Sequence, residues 1–230
     1  MSRASRIALA VVALVLLLVL LAQVLLPGVA ATRARERVER YGPVHSVQVS
    51  AFPAVELLWG HADSVRVNAG TLTATPAQIV SLLGEAHAIG TLTVLAQGAV
   101  LHTAQLPGGL ELSDVRMQKR GSSVVASATM TQAQLQRALP SGFQVTPTTS
   151  GEGGIQARAS GALFGVQASL GVLIHAVEGS LVAEPRGLPF GGIASVTLFS
   201  DAHLKVESVA LRVLRSDPST YLLTLQARFL

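Results

Sequence analysis

Six histidines stand at positions 45, 61, 87, 102, 175 and 203, and the chain has no cysteine. No H-x-H, H-E-x-x-H or Glu-x-x-His pair occurs, so no local unit has the geometry of a zinc or iron site. A serine nucleophile would need a G-x-S-x-G elbow, and none is present; Ser141, Ser150 and Ser160 each precede a glycine and read as turns or strand starts. The glycine clusters Gly108-Gly109, Gly151-Glu152-Gly153-Gly154 and Gly191-Gly192 lack the Lys-Ser/Thr of a phosphate loop and the spacing of a dinucleotide fingerprint. Carboxylates are sparse, and Glu111/Asp114 is the one close pair we single out. The expectation is a protein without a catalytic residue, metal or cofactor.

The chemistry that remains is apolar contact. Of 230 residues, 50% are apolar, 13% charged and 4% aromatic. Soluble domains carry about 25% charge, so this chain has half the usual amount. That balance excludes a disordered chain, and the missing cysteines exclude a disulfide scaffold and a Cys-anchored lipoprotein. The net charge of +4 sits in residues 1–40, where Arg3, Arg6, Arg33, Arg35, Arg37 and Arg40 face only Glu36 and Glu39. Residues 41–230 hold equal numbers of acidic and basic side chains. A neutral body has no footprint for phosphate neutralisation, which argues against a nucleic-acid partner.

Ile7 to Leu26 is a 20-residue run whose only polar side chain is Gln23. At ~1.5 Å per residue it spans about 30 Å, the thickness of a bilayer core. It is longer than the apolar core of a cleaved signal peptide, so the reading is a signal-anchor that stays attached. The organisation expected is a cytoplasmic tail 1–6, a transmembrane segment 7–26, a basic helical stalk 27–41 and one β-rich domain 42–230. Pro27-Gly28 marks the exit from the bilayer, and Glu36/Arg40 at i,i+4 supports the stalk helix. Four arginines follow the run within 15 residues against two before it, and that count favours a cytoplasmic body.

From Pro43 onward period two dominates. Phe164, Val166, Ala168, Leu170, Val172, Ile174 and Ala176 form one apolar face, and Tyr221, Leu223, Leu225, Ala227 and Phe229 form another. Shorter alternations lie at Val47/Val49/Ala51, Val65/Val67/Ala69, Leu92/Val94/Ala96 and Val124/Ala126/Ala128. The apolar phase slips by one residue between Leu112 and Val115 and between Val206 and Val209, as a β-bulge would require. Two helices interrupt the strands. Thr75-Pro76-Ala77-Gln78 opens one, with Ile79, Leu82, Leu83 and Ala86 as its stripe; Thr131-Gln132-Ala133-Gln134 opens the other, ended by Pro140. Both share T-x-A-Q-[I/L]-x-x-x-L at a spacing of 56 residues, which allows a duplication but follows equally from capping chemistry. Phe52-Pro53-Ala54-Val55-Glu56-Leu57-Leu58-Trp59-Gly60 lies between two strands, as a lid on the sheet edge or as a membrane-facing mouth. The fold class expected is α+β: a strongly curved antiparallel sheet with short helices on or in its concave face, after one transmembrane helix.

An aliphatic inner face poor in aromatics suits an acyl chain, and a bilayer anchor supplies proximity to lipid. Several stretches resemble the LmeA-like phospholipid-binding proteins of actinobacteria: the anchor ending Pro27-Gly28-Val29-Ala30, Phe52-Pro53 running to Val65-Arg66-Val67, and Leu112-Ser113-Asp114-Val115. Leu163-Phe164-Gly165-Val166 and Leu198-Phe199-Ser200 extend the resemblance over most of residues 20–230. Fifteen arginines against Lys119 and Lys205 fit a GC-rich source. The resemblance implies an exported, membrane-associated phospholipid binder supporting envelope lipid or lipoglycan synthesis, and hence an extracytoplasmic body in spite of the arginine count. Some members are anchored through a lipobox cysteine; here the helix must serve. The lipid contacts expected from the apolar faces are Phe52, Leu58, Trp59, Phe164, Val166, Leu170, Val172, Ile174, Tyr221, Leu223, Leu225 and Phe229. The rival reading is an envelope scaffold that holds a protein partner and binds no lipid.

Overall fold

A computed structural model describes residues 23, 25–103, 106–151, 153–163, 166–186, 195–216 and 219–230. The apolar run 7–26 therefore lies almost wholly outside the described residues, and no described helix is long and apolar enough to cross a membrane. Residues 25–39 form a continuous helix, α1, that passes straight through Pro27-Gly28. Its i,i+4 ion pair is Arg35–Glu39 at 2.6 Å, not Glu36–Arg40.

Among the described residues the body has twelve strands in two sheets. The first has seven: β1 (Val44–Ser50), β2 (Ala62–Ala74), β3 (Ile89–Thr103), β4 (Leu106–Arg120), β5 (Ser123–Thr131), β12 (Ser219–Phe229) and β11 (Leu204–Ser216), in the order β1-β2-β3-β4-β5-β12-β11. The second has five: β6 (Phe143–Gly151), β7 (Gly154–Leu163), β8 (Val166–Val177), β9 (Ser180–Arg186) and β10 (Val196–Phe199), in the order β10-β9-β8-β7-β6. The α+β class stands, with two sheets in place of the single one expected. The wholly antiparallel pairing is corrected at β2 and β3, which run parallel. Helix α2 (Pro76–Glu85) and the short 3₁₀ turn Ala86–Ala88 return the chain over the sheet between them, the length of connection that parallel neighbours need.

The strand register explains which face is buried. Val47, Val67, Val94, Met117, Ala126, Leu225 and Val209 lie opposite one another in one row across all seven strands. The next row over is Gln48, Arg66, Thr93, Gln118, Val125 and Gln226, on the other face. A one-residue slip in any strand would exchange the two, so burial of the first row holds the register. Both phase slips are real. Asp114 has φ 49° where the β4–β5 register shifts, and the β11–β12 register shifts between Val206 and Ser208.

Both helices begin as their residues dictate. Thr75 and Thr131 each accept from the backbone of the residue three on, and Gln78 and Gln134 return the bond to the cap. Of the expected stripe, Leu83 and, just past the end of α2, Ala86 are buried and Ile79 packs at their margin; Val80 joins them as a further buried residue. Helix α3 (Gln132–Ala138) buries Ala138 completely and carries the chain from the first sheet to the second. Because α2 joins neighbours within one sheet and α3 changes sheet, the shared opening reflects capping and not a repeated fold. Strand β8 is described from Val166, which pairs with Leu163; Phe164, where the strand was expected to begin, lies outside the described residues.

Candidate functional site

The apolar face of the seven-stranded sheet is covered in two zones. Around α2, Val80, Leu83 and Ala86 pack with Val65, Val67, Leu92, Val124 and Ala227; Leu57, Leu225, Phe229 and Phe199 of β10 close the margin. Around α3, Met130, Tyr221, Val209 and Leu211 pack with Ile155 of the second sheet; Leu135, Ile174 and Leu223 lie at the margin. The second sheet, α2 and α3 thus share one apolar face. Ser150 joins the sheets: its hydroxyl donates to Leu211 O (2.7 Å) and accepts from Leu211 N (2.5 Å), satisfying an edge residue of β11.

Most buried apolar residues among those described are Ala and Val, and no large side chain is buried below 2% exposure. The larger residues of the inner face are half-buried. On β8, Leu170, Val172 and Ile174 occupy one face opposite Ala159, Ala157 and Ile155. Ile174 joins the packed zone; Leu170 and Val172 continue the stripe beyond it and are partly buried. The result is an aliphatic stripe leading out of the core.

The structure divides the expected contact residues into three groups. Ile174, Tyr221 and Leu223 meet around α3, and Leu225 and Phe229 meet around α2. Tyr221 is 2% exposed and its hydroxyl donates to Gln132 Oε1 at 2.9 Å, while Gln132 Nε2 donates to Val145 O at 2.7 Å. Its polar end therefore ties α3 to β12 and β6. Phe52, Leu58 and Trp59 lie elsewhere, on the outside of a 3₁₀ turn (Ala54–Trp59), at 80%, 65% and 69% exposure. Phe164 lies outside the described residues, and Val166 starts β8.

Period-two reading missed Lys119, which occupies an inward position of β4. It lies in register with Leu92 on one side and Val124 on the other, and is 3% exposed. Its amine donates to Ala86 O (3.0 Å) and Ile89 O (3.4 Å), capping the end of the α2 segment. Burial pushes its pKa below the ordinary lysine value. A signal existed: Lys119 is one of only two lysines, two residues after Met117 on the apolar phase.

Polar chemistry elsewhere is thin. Among the described residues no three His, Asp or Glu side chains are grouped to hold a metal. His175 Nε2 is buried and 3.3 Å from Glu184 Oε2, but out of line for a hydrogen bond. An open cleft of about 490 Å³ lies where the start of α2 and the end of β3 face β10, lined by Thr75, His102, Thr103, Phe199, Ser200 and Asp201 among others. No protein family, curated protein or solved structure matches the chain.

Proposed function

We propose that this chain is a membrane-anchored, extracytoplasmic phospholipid-binding protein that holds acyl chains against its apolar sheet face and supports envelope lipid homeostasis. The observation that carries the reading is the β8 stripe, where Leu170 and Val172 continue the face of Ile174 beyond the packed zone and are only partly buried. An acyl chain gains about 0.8 kcal/mol per CH₂ on leaving water. In the bilayer it already has that energy, so the protein need only match it along a continuous apolar path. The inner face suits this task because its polar groups are already engaged: Tyr221 by Gln132, and Lys119 by backbone carbonyls. The short-motif resemblance to LmeA-like proteins and the run 7–26 agree with this reading.

The test uses the full chain in liposomes containing a phospholipid with a diazirine in its acyl chain. After photolysis, adducts are mapped by mass spectrometry. Adducts on β8, in addition to those in 7–26, are expected. Adducts confined to 7–26 would refute lipid binding by the body and favour the scaffold reading.

A further inference from the structure

The apolar residues of the β1–β2 turn have no place in the sheet interior, and their position relative to the anchor gives them another role. The turn is amphipathic. Ala54 is fully buried and Leu57 packs against the α2 zone, whereas Phe52, Leu58 and Trp59 face outward. Its base is rigid: Phe52 N donates to Asp63 Oδ2 at 2.7 Å, and Gly60 ends the turn at φ 78°, a conformation suited to glycine. Glu56 is the only charged side chain in residues 52–60.

Gln23 places this turn relative to the bilayer. It is the only polar residue of the run 7–26, and its Oε1 accepts from Ala54 N at 2.8 Å. A glutamine in an apolar span needs a partner, and a helical turn begins with backbone N–H groups that lack one. Each satisfies the other. Gln23 lies three residues before Leu26, so at ~1.5 Å per residue the contact is about 4–5 Å inside the end of the run.

We propose that residues 52–60 form a foot seated at the headgroup–acyl boundary of the same bilayer that residues 7–26 enter, with Phe52, Leu58 and Trp59 immersed and Gln23 clamping the turn to the span. Tryptophan and phenylalanine favour that boundary, and the lack of Lys or Arg in the turn makes apolar insertion, not charge, the source of contact. The proposal rests on the reading of 7–26 as a membrane span. It adds a second contact, which holds the body at a set height and orientation above the membrane.

Trp59 is the only tryptophan, so its fluorescence reports on the foot alone. The full chain is reconstituted in phosphatidylethanolamine/phosphatidylglycerol vesicles doped with phosphatidylcholine brominated at either end of the acyl chain. We expect loss of Trp59 emission that is greater with bromine near the headgroup than near the chain end, together with shielding from aqueous acrylamide. Vesicles that float with the protein while Trp59 stays open to acrylamide and unquenched by bromine overturn the foot and leave the span intact. Protein that fails to float overturns the span and the foot with it. Gln23→Leu, which makes the run more apolar, should still float but show weaker bromine quenching; unchanged quenching overturns the clamp.

Discussion

Lys119 offers the sharpest test of the packing argument, because a buried amine makes stability depend on pH with a defined sign. Its amine lies in an apolar row between Leu92 and Val124, and burial holds its pKa below the ordinary 10.5. Between the folded value and 10.5, the unfolded chain carries a proton that the folded chain does not. Stability therefore rises with pH through that window and is flat below it. The steepest slope for one group is about 1.4 kcal/mol per pH unit. For a domain near 200 residues that corresponds to roughly 3–6 °C in Tm per pH unit. Lys119→Met keeps an unbranched stem and removes the titration. It also removes a charge-assisted bond of about 1.5–3 kcal/mol, although Ala86 O keeps its bond from Ile89 N–H. The assay is thermal unfolding of the full chain in mild detergent from pH 8 to 10.5, wild type against variant. The difference between the two curves is the readout. Wild type should gain on the variant as pH rises. A flat difference, or a gain by the variant, would refute the assignment of a dehydrated amine.

Other substitutions probe the helices and the proposed groove. Thr75→Ala and Thr131→Ala should each cost about 1 kcal/mol in thermal or denaturant unfolding, since each removes a reciprocal cap. Tyr221→Phe should cost about 0.5–1.5 kcal/mol through the lost bond to Gln132 Oε1, and Tyr221→Ala about 3–5 kcal/mol through the cavity as well. Leu170→Asp, on the partly buried stripe, should leave the chain folded by circular dichroism and reduce photo-crosslinking on β8. Leu225→Asp places a carboxylate against the α2 zone and should prevent folding; normal melting of this variant would show that the inner face is wrongly assigned.

The first sheet was legible because its strands are amphipathic. Leu223, Leu225 and Ala227 alternate with Thr224 and Gln226, and the odd steps in the apolar phase of β4 and β11 marked real bulges. The second sheet was far less legible. Strand β6 reads as Phe-Gln-Val-Thr-Pro-Thr-Thr-Ser-Gly, and β7 as Gly-Ile-Gln-Ala-Arg-Ala-Ser-Gly-Ala-Leu, where most of the alternating apolar positions are alanine, so neither has a strong apolar period. Pro147 can sit in β6 because that strand is an edge.

Sequence alone determined what neighbouring residues settle among themselves: the two capping boxes, the alternating faces, the bulge positions and the apolar run. Tertiary structure decided what depends on residues far apart. Parallel pairing of β2 with β3 followed from where α2 returned the chain, and burial of Lys119 followed from two carbonyls more than 29 positions upstream. Phe52, Leu58 and Trp59 shared the hydrophobicity of the inner-face residues, yet the fold turned Leu57 inward and left them outside. Hydrophobicity is a property of one side chain. Which apolar surface becomes core and which stays exposed depends on what the rest of the chain lays against it.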